Sequence, residues 1–125
     1  MLVLGGAFNG KLKYVKDKYS LKDEEIYYCK SDEINLEKKV ISGFHIFIRE
    51  MLINNKDAIK YIEENKELLK EKILIADDIN SGIVPIDKFD RKWRDVNGKA
   101  LQILSKENTK VIRVFFGLEM VLKDE

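Results

Sequence analysis

The stretch Lys72-Ile73-Leu74-Ile75-Ala76-Asp77-Asp78-Ile79-Asn80-Ser81-Gly82-Ile83-Val84-Pro85 decides the fold of this chain. It opens with a short β-branched apolar run, which is typical of a buried strand in a parallel sheet. The residues that follow, 86–106, have helical periodicity. Two adjacent carboxylates and an Asn-Ser-Gly turn therefore stand where a strand ends and a helix approaches. Because ligands bind at the carboxyl edge of open α/β sheets, we expect a functional site there.

The rest of the chain alternates segments typical of strands with segments typical of helices. Strands are predicted at 1–4, 25–30, 39–43, 73–76 and 110–116, with a short edge strand at 120–122, and helices at 11–19, 44–53, 57–70 and 86–106. On the last helix the spacing places one apolar set on the core face: Phe89, Trp93, Val96, Ala100 and Leu104. Since strands and helices alternate throughout, we expect an α/β fold with a mostly parallel sheet.

The composition is that of one ordinary globular domain, expected to span residues 1–125, with 45% hydrophobic residues. A formal net charge of +1, without a strongly basic block, argues against nucleic acid as a partner. The only cysteine, Cys29, excludes an internal disulfide and fits a reducing compartment. No apolar run approaches the roughly 20 residues of a membrane span, and nothing resembles a signal peptide. We therefore expect a cytoplasmic protein with no membrane span.

A glycine-rich loop follows the first predicted strand and precedes the first predicted helix. Its residues satisfy most of the phosphate-loop pattern G-x-x-x-x-G-K-[ST]: Gly5, Gly6, Ala7, Phe8, Asn9, Gly10 and Lys11. Backbone N–H groups of such a loop converge on a phosphate, and Lys11 would neutralise the outer phosphates. Position 12 is leucine, which cannot hold Mg²⁺. The alternative is a strand–helix turn that binds nothing.

Polar residues also recur at helical spacing on the long helix, opposite its predicted core face: Arg91, Arg94, Asp95, Gly98 and Gln102. One interpretation is a solvated face stabilised by ion pairs. The other is a contact surface for substrate or a second subunit, which Gly98 favours because a glycine inside a helix often marks close approach. His45 and Cys29 lie among large apolar or aromatic residues: His45 is predicted to be a satisfied, partly buried histidine rather than a nucleophile, and Cys29 a small core residue rather than a reactive thiol.

With these residues in view, the chain resembles the adenosylcobinamide kinase / adenosylcobinamide-phosphate guanylyltransferase family of cobalamin biosynthesis. Its members carry Ser-Asn-Glu-Val-Gly-x-Gly-Ile-Val-Pro, matched here by 77–85. They also carry Arg-x-[Tyr/Phe]-Arg-Asp-x-x-Gly with a following Gln, matched by 91–98 and Gln102, and a terminal Ala-Gly-Leu-Pro hairpin, matched by 116–119. The family's Gly-Gly-Ala-Arg-Ser-Gly-Lys-Ser loop is matched only as far as Lys11.

This resemblance implies a P-loop NTPase-like, three-layer domain with a short antiparallel edge strand at its C-terminal end. It implies nucleotide use (ATP or GTP), a corrinoid partner (adenosylcobinamide) and homo-oligomers. Lys11 and Asp78 take the catalytic positions, and Asp77, Arg91, Arg94, Asp95 and Gln102 are candidate contacts with substrate or subunit.

The departures from the family pattern are as informative as the matches. Between Tyr28 and Val40 the chain lacks the family's His-Arg-x-x-Arg segment, whose histidine takes up GMP, so guanylyl transfer is expected to be lost. Ser42 replaces an acidic residue, and Leu12 replaces a hydroxyl, so Mg²⁺ would depend on Asp77 or Asp78. Two hypotheses stay open: a reduced cobinamide kinase, and a catalytically inactive nucleotide- or corrinoid-binding accessory protein of the same fold.

Overall fold

A computed structural model describes residues 1–6, 10–79 and 87–125 of the protein. The elements of this part are, in chain order, β1 (Leu2–Gly5), α1 (Lys11–Tyr19), a 3₁₀ turn (Asp23–Glu25), β2 (Ile26–Tyr28), β3 (Val40–Ser42), α2 (Phe44–Ile53), α3 (Ala58–Leu69), β4 (Ile73–Asp77), α4 (Lys88–Glu107), β5 (Lys110–Phe115) and β6 (Leu118–Asp124). None of these helices is both long and apolar enough to cross a membrane.

The strands form one six-stranded sheet in the order β2-β3-β4-β1-β5-β6. Every neighbouring pair is parallel except β5 and β6, which are antiparallel. β1 lies at the centre, where Leu2 pairs with Leu74 of β4 and with Val111 of β5. The expected α/β fold, with a mostly parallel sheet and an antiparallel C-terminal strand, is confirmed.

Alternate side chains of the central strands enter two separate cores. Leu2 and Leu74 pack with α2, α3 and α4 on one face, whereas Val3 and Ile75 pack with Val15 of α1 on the other. This alternation follows from the two-residue period of a strand. The result is a three-layer arrangement, in which both faces of the central strands are covered by helices.

α4 differs from its prediction at its start. It begins at Lys88, because the Asp87 carboxylate accepts hydrogen bonds from the backbone N–H groups of Phe89 and Asp90 and caps the helix. Its fully covered face holds Asn97, Ala100, Leu101 and Leu104, while Phe89, Trp93 and Val96 are only partly buried. All five predicted apolar residues of α4 pack in or against the same core, so its predicted core face is confirmed, and the buried Asn97 and Leu101 are added to it.

β6 is longer than predicted, with seven residues rather than a short segment. Six large apolar side chains of the β5–β6 hairpin are between 47% and 74% exposed, and we call them the β6 surface: Phe115, Phe116, Leu118, Met120, Val121 and Leu122. β6 is the last strand of the sheet in the described chain, and these exposed side chains form an apolar patch at its edge.

Candidate functional site

Lys11 is the first residue of α1 and is almost completely buried, with 8% of its surface exposed. Its Nζ lies 2.6 Å from Asp77 Oδ1 and donates a hydrogen bond of 2.7 Å to the Gly6 carbonyl. A buried ammonium group requires such partners, because desolvation penalises an unpaired charge. The contacts hold a positive charge between the ends of β1 and β4, beside the glycine loop.

Asp77 ends β4 and is held by His45, the second residue of α2. The Asp77 backbone N–H donates to His45 Nδ1 at 3.0 Å, and His45 Nε2 lies 3.4 Å from Asp77 Oδ2. Since Nδ1 accepts, the neutral ring carries its proton on Nε2, which faces the carboxylate. Trp93 fixes the histidine from α4, because its Nε1 donates to the His45 carbonyl at 3.0 Å and the two rings stack.

The charge state of this cluster follows from burial. Burial lowers the pKa of His45 below its usual value, the Asp77 carboxylate opposes this shift, and the Lys11 ammonium adds to it. His45 is therefore neutral at pH 7, and Lys11 is the cation that balances Asp77. By contrast, burial raises the pKa of the Cys29 thiol to about 12, so this cysteine is the unreactive core residue that was predicted.

Asp78 is directed away from this cluster. Its backbone N–H donates to the Gly5 carbonyl at 2.8 Å, and its carboxylate forms an ion pair with Arg113 of β5. Ile112 and Val114 of β5 pack on the face of the sheet that α1 covers. Arg113 lies between them and therefore points to the opposite face, which α4 covers, and the carboxylate of Asp78 lies on that face with it. The two adjacent carboxylates thus belong to different faces of the sheet.

Asn97 of α4 contacts the same edge of the sheet, at the end of β4. It is fully buried, and its Nδ2 donates to the Asp77 carbonyl at 3.3 Å. Its Oδ1 has no hydrogen-bond partner in the described part of the chain. Asn97 therefore joins α4 to the end of β4 and leaves one buried acceptor unused.

Two cavities border these residues. A cleft of about 360 Å³ lies between α1 and α2 and is lined by Lys11, Leu12, Lys13, Ser42, His45 and Asp77, among others; we call it the lysine cleft. A groove of about 560 Å³ lies along α4 and includes Asp78, Gly98 and Gln102; we call it the α4 groove. Both volumes fall in the range of small-molecule sites.

The residues that the structure describes do not fit Mg²⁺. A magnesium ion requires several free oxygen ligands, but Asp77 is held by Lys11 and His45, and Asp78 is held by Arg113. No group of three potential metal-ligating side chains occurs in residues 1–6, 10–79 and 87–125. These carboxylates are arranged to balance cationic side chains of the protein.

The structure brings together several of the predicted site residues. Gly5 and Gly6 lie at the end of β1, Gly10 precedes α1, and Lys11 meets Asp77; Ala7, Phe8 and Asn9 lie outside the described residues, as do 80–86. Arg94, Asp95, Gly98 and Gln102 line one shallow cavity on α4, next to the α4 groove. Arg91 is exposed one turn earlier and does not line either cavity.

Sequence reasoning missed three residues of the site: His45, Asn97 and Arg113. Each meets Asp77 or Asp78 only through the tertiary fold, since they lie 32, 20 and 35 residues away in the chain. A signal existed for His45, because it follows Gly43 at the end of a predicted strand. The carboxyl ends of parallel strands share one edge, which places His45 near Asp77.

The parallel sheet and the glycine loop between β1 and α1 define a P-loop-like α/β domain. A family model described as cobinamide kinase / cobinamide phosphate guanyltransferase matches residues 40–122. Because this match covers more than half of the chain, the protein belongs to that family, which acts in cobalamin biosynthesis and uses nucleotides. No curated protein matches the chain. The matched part contains His45, Asp77, Asp78 and α4, whereas the glycine loop precedes it.

Proposed function

We propose that the protein binds the triphosphate of ATP or GTP beside Lys11 and transfers the terminal phosphoryl group to the terminal hydroxyl of adenosylcobinamide. The observation that carries the proposal is the buried Lys11 ammonium at the start of α1. A triphosphate needs fixed positive charge and backbone N–H donors, and both stand at this position. In the free protein Asp77 balances the Lys11 charge, and phosphate oxygens would replace Asp77 on binding.

The acceptor would occupy the α4 groove, on the other side of the same edge. This groove joins Asp78 to Gly98 and Gln102, which are positions that carry the resemblance to the family. In the proposed reaction the hydroxyl oxygen forms a bond to the γ-phosphorus, and the bond to the β–γ bridging oxygen breaks. Asp78 would orient the hydroxyl and accept its proton, and the nucleoside diphosphate would be the leaving group, with its developing negative charge neutralised by the Lys11 ammonium.

Guanylyl transfer through histidine is not part of the proposal. His45 is the only histidine of the chain. Both of its ring nitrogens face Asp77, and only 12% of its side chain is exposed. A nucleophilic histidine needs an accessible ring nitrogen, and this environment offers none.

The proposal is tested by isothermal titration with ATP and GTP, with and without Mg²⁺, followed by a phosphoryl-transfer assay with adenosylcobinamide. Lys11→Ala should weaken nucleotide binding by about 10-fold or more, because a charge-assisted contact is lost. Lys16→Ala is the matched control, since Lys16 lies on the same helix and pairs with Asp23 outside the lysine cleft.

Because Lys11→Ala leaves Asp77 without its cation, a second variant, Lys11→Met with Asp77→Asn, keeps the cleft neutral. Both variants are checked for folding by circular dichroism. Wild-type protein that binds neither nucleotide would contradict the proposal, and so would a Lys11→Ala protein with unchanged affinity.

The second candidate is a catalytically inactive protein that binds a nucleotide or a corrinoid. The observation that favours it is the engagement of Asp77 and Asp78 with cationic side chains, together with Leu12 at the hydroxyl position. Nucleotide binding without turnover would support this candidate. Phosphorylation of adenosylcobinamide that depends on Lys11 would exclude it.

We also propose that the protein forms homo-oligomers through the β6 surface. The support is the exposed apolar area at the last strand of the described sheet, which is unusual for a chain that stays monomeric. A second copy is the partner that the resemblance implies.

A further inference from the structure

The carboxylate of Asp77 lies where an anionic ligand of Lys11 would have to lie. Lys11 Nζ is 2.6 Å from Asp77 Oδ1 and donates to the Gly6 carbonyl at 2.7 Å. Both side chains line the lysine cleft, where that of Asp77 is 22% exposed and that of Lys11 only 8%. A phosphate group that enters the cleft therefore finds the buried ammonium already covered by an anion of the protein.

Asp77 has a second partner within reach, the imidazole of His45. The other carboxylate oxygen, Oδ2, lies 3.4 Å from His45 Nε2. Because His45 Nδ1 accepts the Asp77 backbone N–H at 3.0 Å, the neutral ring carries its proton on Nε2 and can donate it to the carboxylate. Trp93 holds the histidine carbonyl from α4. The Asp77 carboxylate thus stands between the Lys11 ammonium and an N–H group that is fixed in place.

We propose that Asp77 is an internal competitor of phosphate, whose carboxylate pairs with Lys11 in the free protein and moves to His45 when a phosphate group binds. This inference rests on the proposed phosphate binding at Lys11. A phosphate and a carboxylate repel each other at close range, so both cannot pair with one ammonium group at full strength. His45 lowers the cost of the displacement, since its N–H supplies a hydrogen bond to a carboxylate that has lost its cation.

The competitor sets the affinity of the site. A ligand that pairs with Lys11 only after Asp77 has left has its apparent affinity reduced by the fraction of molecules in which Lys11 is available. Asparagine has the size of aspartate but no charge, so it holds the ammonium group less strongly and repels phosphate less. Removing the charge of Asp77 should therefore make phosphate binding tighter.

The first test measures the affinity of inorganic tripolyphosphate by isothermal titration in metal-free buffer. Asp77→Asn should bind it about 10-fold tighter than wild-type protein, because the competing charge is gone. Asp32→Asn is the matched control: Asp32 pairs with Lys56 at 2.6 Å, its side chain is 19% exposed, and it does not line the lysine cleft. The control loses the same charge and should keep the wild-type affinity. Thermal melting checks that each variant is folded.

The second test concerns the destination of the carboxylate. His45→Asn keeps an acceptor near the position of Nδ1 but has no donor at that of Nε2. It should weaken tripolyphosphate binding about 3-fold in wild-type protein, because the displaced carboxylate loses its hydrogen bond. In the Asp77→Asn background it should have no effect. A purely structural role of His45 would change both backgrounds equally, so this double-mutant cycle separates the two roles.

The outcomes separate this inference from the proposal on which it rests. If wild-type protein binds tripolyphosphate and Asp77→Asn binds it no tighter, the internal competitor is overturned while phosphate binding at Lys11 stands. Equal tightening in Asp32→Asn also overturns it, and an equal loss from His45→Asn in both backgrounds overturns the move to His45. If neither wild-type protein nor Asp77→Asn binds, the proposed function fails, and the internal competitor fails with it.

Discussion

Asp77 and Asp78 show how one peptide unit can serve two sides of a sheet. Asp77 meets Lys11 and His45, whereas Asp78 meets Arg113 across β1. Adjacent side chains at a strand end point to opposite faces of the sheet, so the carboxylates of Asp77 and Asp78 cannot both bind the same Mg²⁺ ion. Their arrangement instead places one carboxylate at the lysine cleft and the other at the α4 groove.

The pH dependence of stability is predicted from His45. Its pKa in the folded state is lowered mainly by burial, so the unfolded chain binds a proton at a higher pH than the native protein. Native stability from this group is therefore complete above about pH 6.5 and is lost as the pH falls below it. The charged groups facing His45 are Asp77 from β4, which opposes the shift, and Lys11 from α1, which adds to it.

The measurement is the melting temperature of wild-type protein and His45→Gln between about pH 5 and pH 7.5, the interval in which histidine titrates. The wild-type curve should fall more steeply toward acid than the curve of the variant, because the chain has no other histidine. Parallel curves would show that His45 does not titrate differently in the two states.

At the residue scale, the site residues that could be predicted from the sequence are those that belong to a local motif. Lys11 was found because its glycines precede it directly, and Asp77 and Asp78 because they end an apolar strand. The sequence-based prediction that His45 is partly buried was right, but it named no partner for the ring, since Asp77 lies 32 residues further along the chain. A hydrogen bond across such a distance depends on strand order, which no local spacing encodes.

At the level of elements, β1 is held between neighbours that leave no space for a side chain at its end. A Cβ on Gly5 would lie 2.5 Å from the Val114 carbonyl of β5. The glycine there permits β1 and β5 to approach where the loop toward Lys11 begins.

Gly5→Ala is therefore predicted to lower the free energy of unfolding by about 1–3 kcal/mol, the usual cost of forcing extra atoms into a packed site. Gly117→Ala is the control, because Gly117 has φ +77 but nothing within 4 Å of its added Cβ. Its cost should be about 1–2 kcal/mol, from left-handed backbone strain alone. Urea denaturation of both variants measures the difference, and a Gly5→Ala protein as stable as wild type would contradict the close approach.

Element boundaries were predicted best where local signals agree. The bounds of α1 and α2 match the prediction, and both helices begin directly after a glycine with positive φ. The start of α4 was wrong, since the helix begins only after the capping Asp87, and the burial of Asn97 was not predicted, since its bond to Asp77 depends on the tertiary fold. The length of β6 was underestimated because an edge strand exposes apolar and charged residues alike.

For the whole molecule, the uncovered β6 surface leads to a prediction of assembly. We expect a mass above the 14.6 kDa of one chain in light scattering after size exclusion. Leu118→Lys combined with Met120→Glu should reduce it to one chain, because both side chains are more than half exposed on the hairpin and charges oppose their burial.

Ile53→Lys serves as the control for this experiment. Ile53 is an exposed apolar residue of similar size at the end of α2, away from the hairpin. Its substitution should leave the mass unchanged. A wild-type protein with the mass of a single chain would contradict the proposed assembly, as would a double variant that assembles normally.

The central place of β1 has a consequence for how the protein is made. β1 is synthesised before both of its partners, β4 and β5, which lie far along the chain. Lys11 likewise meets Asp77 only after β4 has been synthesised. The sheet therefore cannot close around β1 until β5 has been synthesised, so these pairings are long-range contacts that form late. Folding of this sheet should accordingly be slow, because its central strand pairs only with segments that are distant in sequence.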